Sequence, residues 1–256
     1  AMSGLMEVTG PADGDPVRFG IAMTDIATGL TAATRILATV LQARVTGQGS
    51  HVDCSLYATA LGVLATLITS YSTICEEPRR WGSYHPSICP YGGFRTADGH
   101  LLTGAINDAM WQPLCEALHL DDLARRPELA TNAGRVLRRH EVETRIGEMC
   151  ATHPTDYWLE RLRERRLLGA PIRTVGQAVE DPVTRAMGLF VGLRGYDGVI
   201  APRLDNVPVM GREEPVPHLG EHTAAVLQDL LGMSPREVED LARQEVVQVD
   251  RRKDLD

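Results

Sequence analysis

The stretch TDIATGLTAATRIL, residues 24–37, sets one carboxylate, Asp25, immediately ahead of a long apolar run. Two chemistries fit a carboxylate there. At a helix start it accepts hydrogen bonds from free backbone N–H groups and faces the positive end of the helix dipole, worth about 1 kcal/mol. Exposed at a loop–helix junction, it can instead attack an activated acyl group and hold it covalently. Neighbouring backbone N–H groups would then take up the developing oxyanion charge. Position alone favours the cap, and one residue can serve both roles.

A second group lies in GSYHPSICPYGGF, residues 82–94, where Gly82, His85, Tyr91, Gly92 and Gly93 surround two prolines. The plain reading is a linker loop. The chemical reading is a loop whose glycines let backbone approach a ligand and whose His85 titrates near neutrality. In GHLLTGAINDAMW, Asn107 and Asp108 stand where helix caps are needed. HLGEHT, 218–223, has the His-x-x-Glu-His order of an inverted zinc motif. That motif needs helix context and a third ligand, and Pro217 and Gly220 place the segment at a helix start, so no metal site is expected. TGQGSHVD contains Gly-x-Gly without the full dinucleotide fingerprint, and neither a P-loop nor Gly-x-Ser-x-Gly occurs.

The elements that must position these groups follow from spacing. Ile26, Leu30, Ala33, Leu37 and Val40 repeat along one helical face, with Thr24 or Asp25 as the expected N-cap and Gly47 and Gly49 as stop signals. HVDCSLY alternates, predicting a short strand. The uncharged run from Cys54 to Cys75 is long enough to span a bilayer, but Thr59, Thr66, Thr69, Ser70, Ser72 and Thr73 within it and the lack of flanking basic clusters predict a buried helix. Helix, turn, strand, helix is α/β layering. GGFRTADGHLLTGA predicts a hairpin turning at Ala97-Asp98-Gly99. Then follow an amphipathic helix with Met110, Leu114, Ala117 and Leu118 on one face, helices near 138–151 and 155–167, and in GAPIRTVGQAVEDP a strand-like segment and a short helix. Residues 188–211 read as extended. Two closing helices, the second boxed by Ser234 and Glu237, precede a solvated tail. The organisation expected is 1–78, a small α+β domain over 79–180, and a return segment over 181–256.

Composition bounds the function. The chain has 256 residues, 43% hydrophobic and 23% charged, with net charge −8. That is a globular composition, and the acidic balance gives no footprint for nucleic acid. Cys54, Cys75, Cys89, Cys115 and Cys150 form no CxxC pair and read as reduced cytosolic thiols, with Cys54 and Cys89 buried. A cytoplasmic protein is expected, not a membrane one. The sequence opens on Ala1 without a start methionine and reads as part of something longer.

Taken in order, AMSGLMEVTG, TDIATGLTAATRILATVLQARVTGQGSHVDCSLYATAL, HPSICPYGGFRTADGHLLTGAINDAMWQPLCEALHL, GAPIRTVGQAVEDP and HLGEHTAAVLQDLLGMS resemble the family III CoA-transferases, a fold shared with the α-methylacyl-CoA racemases. The segment T-G-x-G-x-x-V-D, residues 46–53, is the most specific part. The resemblance implies an α/β fold: a remnant of the large Rossmann-like domain, carrying catalytic Asp25, plus the small α+β domain. The first, CoA-binding half of the family fold has no counterpart here. It implies CoA transfer between an acyl-CoA and a carboxylic acid through an aspartyl-CoA thioester, with coenzyme A as substrate and no separate cofactor. His85, Tyr91, Gly92, Gly93 and Asn107 then become substrate or CoA contacts. The family's glycine-rich shielding loop falls near residues 82–93, where this chain lacks consecutive glycines beyond Gly92-Gly93. Racemases tend to carry Glu where this chain has Asn107, so the resemblance favours transfer over racemisation. It also implies a homodimer or association with an N-terminal half, and apolar surface left open without that half.

Overall fold

The computed structural model describes residues 1–192, 200–202 and 217–250. The backbone divides into two compact units, Ala1–Ile172 and Arg173–Asp256.

The first unit opens with turns and enters α1 (Met23–Thr46), which ends where Gly47, at φ 72°, returns its N–H to the Ala43 carbonyl. The left-handed turn is the conformation glycine adopts without a Cβ penalty. The expected strand over HVDCSLY is absent. Residues 51–55 are irregular, and Ser55 accepts from the Ala58 N–H and starts α2 (Leu56–Val63). Alternation alone makes no strand without a partner to pair with, and among the described residues none lies beside it. Arg35 Nη1 instead holds the Asp53 carbonyl at 2.7 Å.

The uncharged run is not one helix. It breaks at Leu64 into α2 and α3 (Ala65–Ile74), bent by 64°. Nor is it buried: Ala60 and Leu64 are its buried residues, packed with Leu5. Likewise, the predicted apolar face of α1 is open, with Leu30 68% and Leu37 65% exposed. These faces are hydrophobic enough to be covered, but nothing in the described residues covers them. By length and composition α1 meets the size needed to cross a membrane. It also carries Asp25, Arg35 and Arg44 along its length.

The core of this unit lies further along the chain. Strands β1 (Tyr91–Arg95), β2 (His100–Gly104) and β3 (Leu168–Pro171) form an antiparallel sheet in that order, with Phe94 opposite Leu101 and Thr103 opposite Gly169. Against it pack α4 (Trp111–Ala117), α5 (Asp121–Ala124), α6 (Asn132–Leu137), α7 (Arg139–Cys150) and α8 (Thr155–Glu164). Phe94, Leu101, Leu114, Ile146, Trp158 and Leu162 are all buried together. Leu114, Ala117 and Leu118 occupy the predicted face. Trp158 gives its Nε1–H to the Cys150 carbonyl at 2.8 Å, so its ring is buried with its donor satisfied. The hairpin turn has a second use. Asp98 accepts from Thr96 and from both the N–H and the hydroxyl of Thr155, capping α8 from outside the helix. The Thr155 N–H is the leading reason that the Asp98 carboxyl is held below its usual range.

The second unit begins with α9 (Val175–Glu180), which carries a Thr174–Gln177 capping box, and α10 (Pro182–Ala186), capped by Asp181. β4 (Phe190–Gly192) pairs antiparallel with β5 (Ile200–Pro202). The remainder of the extended stretch predicted over 188–211, and the tail after Asp250, lie outside the described residues. α11 (Thr223–Leu231) and α12 (Pro235–Arg243) follow, the latter with the predicted Ser234–Glu237 box. In HLGEHT, Glu221 accepts from the His218 N–H, a turn contact. None of the five cysteines is in a disulfide, and Cys54, expected to be buried, is partly exposed because α2 is largely uncovered.

Two outcomes test this packing. A Cβ at Gly104 would lie 2.6 Å from the Pro90 carbonyl oxygen and 2.7 Å from Tyr91 Cα, backbone that cannot swing aside. Gly104→Ala is therefore expected to lower stability by about 2 kcal/mol in urea titration. His119, whose pKa is lowered chiefly by burial and next by Arg161, charges less readily folded than unfolded. Its contribution to stability is present above its ordinary 6.5 and is lost as pH falls below it. His119→Gln should flatten the decline in stability below that pH.

Candidate active site

Asp25 stands in the first turn of α1, but not as its cap. The helix begins two residues earlier than predicted, with Ala22 at the N-cap position and no side-chain cap. The Met23 N–H goes to Ile21 O, and the Ile26 N–H to Ala22 O. Asp25 is exposed, and among the described residues its carboxylate has no hydrogen-bond or ion-pair partner. An uncommitted carboxylate beside the free N–H groups of a helix start satisfies the first requirement of a nucleophile, since no cation or donor must be displaced before it reacts.

The loop from Tyr84 to Tyr91 has the opposite character. It has no regular structure to satisfy its backbone, yet side chains satisfy it almost group by group. The His85 N–H goes to the Tyr91 carbonyl at 2.9 Å. His85 Nδ1 accepts the N–H of Ser87 and of Ile88, both at 3.2 Å. Asn132 takes the Cys89 N–H on its oxygen and gives its amide to the Ser87 carbonyl. Arg139 donates to the carbonyls of Pro86, at 3.0 Å, and Ile88. Arg135 Nε donates to the Cys89 carbonyl at 2.7 Å. Arg135 is wholly buried, gives its other nitrogens to the carbonyls of Leu129 and Ala130 and to Asp108, and lies over the Trp111 ring. Asp108 also accepts the Asn132 N–H, tying the Asn107 turn to the same network.

The structure thus joins several of the predicted residues and separates another. His85 stacks on Tyr91, centroids 5.7 Å apart. Gly92 pairs with Tyr84, whose ring a Cβ at Gly92 would meet at 2.3 Å. A Cβ at Gly93 would be less crowded, meeting the Ile172 side chain at 3.0 Å and that of Ser83 at 3.4 Å. Asn107 is a cap, accepting from the Met110 N–H. Among the described residues no hydrogen bond, ion pair or ring contact joins Asp25 to this group. A cleft of about 630 Å³ borders the loop, lined by Arg79, Trp81, Pro86 and Ser87 with Glu76 and Glu77. The Arg79 guanidinium carbon lies over the Trp81 ring, 3.9 Å from its centre.

Cys89 is no nucleophile, for burial first and Glu143 next push its thiol up to about 12. Glu143 itself is raised, because burial outweighs the Arg139 cation 2.8 Å away. Asn132, Arg135, Arg139 and Glu143 were not predicted. Their spacing of three, four and four residues was a usable signal, since it is the spacing of one helical face, but the structure divides them between α6 and α7, and a polar face normally meets solvent.

Comparison with known proteins places the whole arrangement. The model of CoA-transferase family III matches residues 1–223. Succinyl-CoA:glutarate CoA-transferase of Homo sapiens is 34% identical over 252 residues, covering 96% of this chain and 58% of that protein. Succinyl-CoA:mesaconate CoA-transferase of Haloarcula hispanica is 32% identical over 237 residues, covering 90% of this chain and 59% of that one. The crystal structure of a CAIB/BAIF family protein from Brucella suis superimposes with TM-score 0.71 at 29% identity, covering 90% of this chain and 61% of that one. The chain therefore spans somewhat over half the length of these relatives.

The network makes a direct prediction. Arg135→Met would leave the carbonyls of Cys89, Leu129 and Ala130 without their donor, and a stability loss of about 3 kcal/mol is expected by denaturant titration. A loss below about 1 kcal/mol would show that the loop is held by something else.

Proposed function

The chain belongs to CoA-transferase family III, and on that premise we propose that it serves to transfer coenzyme A from an acyl-CoA to a carboxylic acid, with Asp25 as the covalent carrier. The supporting observation is the free, exposed carboxylate of Asp25 at the head of α1. In the proposed cycle an Asp25 oxygen attacks the thioester carbonyl, the C–S bond breaks, and CoA thiolate leaves a mixed anhydride behind. Thiolate then attacks the aspartyl carbonyl, freeing the donor's carboxylate and forming aspartyl-CoA. The acceptor carboxylate repeats the two steps in reverse and departs as its CoA thioester. No net proton or electron is consumed, which accords with a reaction needing only its two substrates.

The relatives named above act on short dicarboxylic acids by their names, and a dicarboxylate acceptor is the substrate class we propose. Those relatives are transferases, which favours transfer over the racemase alternative. His85, Tyr91, Gly92, Gly93 and Asn107 are proposed to border the substrate, on a loop and strand edge fixed by Asn132, Arg135 and Arg139. The open apolar faces of α1, α2 and α3 support further packing, against an N-terminal half of the family fold or a second copy. We also place the protein in the cytoplasm, as its unpaired cysteines suggest.

In the full natural chain, Asp25→Asn should keep acyl-CoA binding and lower turnover by roughly a thousandfold or more. An Asp25→Asn enzyme with near-normal transfer would sink the carrier assignment.

A further inference from the structure

His85 carries information beyond its place in the loop. Three donors converge on its Nδ1: the N–H groups of Ser87 and Ile88 at 3.2 Å each and, at 3.4 Å, the Ser87 hydroxyl. A backbone N–H can only donate, so Nδ1 is an acceptor and the ring proton sits on Nε2. Among the described residues that Nε2–H has no acceptor. The residue is held on both sides, because its ring stacks on Tyr91 and its backbone N–H is bound to the Tyr91 carbonyl. The loop beneath it cannot shift freely either, since Asn132, Arg135 and Arg139 hold it. The next two residues, Pro86 and Ser87, line the cleft that also contains Arg79. Arg79 is fixed against Trp81 and, among the described residues, has no acidic partner.

We propose that His85 is a fixed-tautomer hydrogen-bond donor that binds a substrate carboxylate through Nε2–H, beside the cleft that Pro86 and Ser87 line together with Arg79, whose guanidinium supplies the positive charge. The proposal rests on the transferase reading above and adds to it the group that recognises the acid. Glu76 and Glu77 line the same cleft, so recognition depends on directed donors rather than on a positive field.

Two substitutions separate the two nitrogens. His85→Asn keeps an acceptor near the position of Nδ1, able to hold the Ser87 and Ile88 N–H groups, and removes the Nε2 donor. His85→Gln reaches the Nε2 position with a donor and gives up the Nδ1 acceptor. In steady-state kinetics of the full chain with succinyl-CoA and glutarate, His85→Asn should raise KM for the acid about tenfold or more, as expected for losing a hydrogen bond to a charged group. KM for the acyl-CoA and the unfolding midpoint should change little. His85→Gln should lose thermal stability while keeping more of its affinity for the acid. Arg79→Met should also raise KM for the acid with little change in stability. If His85→Asn is unchanged in KM for the acid, or if the acyl-CoA KM moves instead, the proposal is wrong. If the unsubstituted protein shows no transfer with any acyl-CoA and acid pair while it still binds acyl-CoA, the transferase reading itself fails and this inference falls with it.

Discussion

One buried cation organises the small α+β part of this protein. Arg135 is removed from water entirely, and a guanidinium in that position must place its N–H groups on acceptors. It does so by taking the carbonyls of Cys89, Leu129 and Ala130 together with the Asp108 carboxylate. Cys89 and Ala130 lie outside any strand or helix, and Leu129 ends a single 3-10 turn, Pro127–Leu129. The arginine therefore substitutes for secondary structure, joining the loop before β1, the turn before α4 and the turn before α6. Asn132 at the start of α6 and Arg139 at the start of α7 extend the same solution.

From this constraint the rest of the edge follows. A loop pinned at most of its backbone groups presents His85 with Nδ1 as an acceptor. It also brings the chain close where the loop meets the sheet, which is why a Cβ at Gly104 would strike the backbone of Pro90 and Tyr91 and one at Gly92 the Tyr84 ring. The α1–α3 layer is built on different terms. Its apolar faces lie open, and Asp25 stands free at the head of α1. One part of the protein is closely held and the other keeps open apolar faces among the described residues, a division that suits the proposed role of Asp25.

Much of this was legible in the residues. The hairpin was announced by Ala97-Asp98-Gly99, the stop of α1 by Gly47, and the last helix by its capping box, because each is a local device. The errors have physical causes as well. Alternation in HVDCSLY marks a strand only if a neighbour pairs with it, and here Ser55 capping and the hold of Arg35 on Asp53 prevail. The face on α1 was identified correctly as apolar, yet apolar pattern states what would gain from burial, not whether a cover is present. The polar network was missed because α6 was not predicted and the polar side chains of Asn132, Arg135 and Arg139 carry no local mark of burial. Nothing local in the sequence shows that irregular backbone some 45 residues upstream will meet them.

The account turns on Asp25 holding coenzyme A covalently. The most direct measurement is peptide mass spectrometry of the full chain, quenched after incubation with acyl-CoA and no acceptor acid. The account predicts a CoA mass on the peptide containing Asp25, stable in acid and discharged when acceptor is added. A protein that turns over both substrates while that peptide stays unmodified, or that carries the adduct elsewhere, would contradict it.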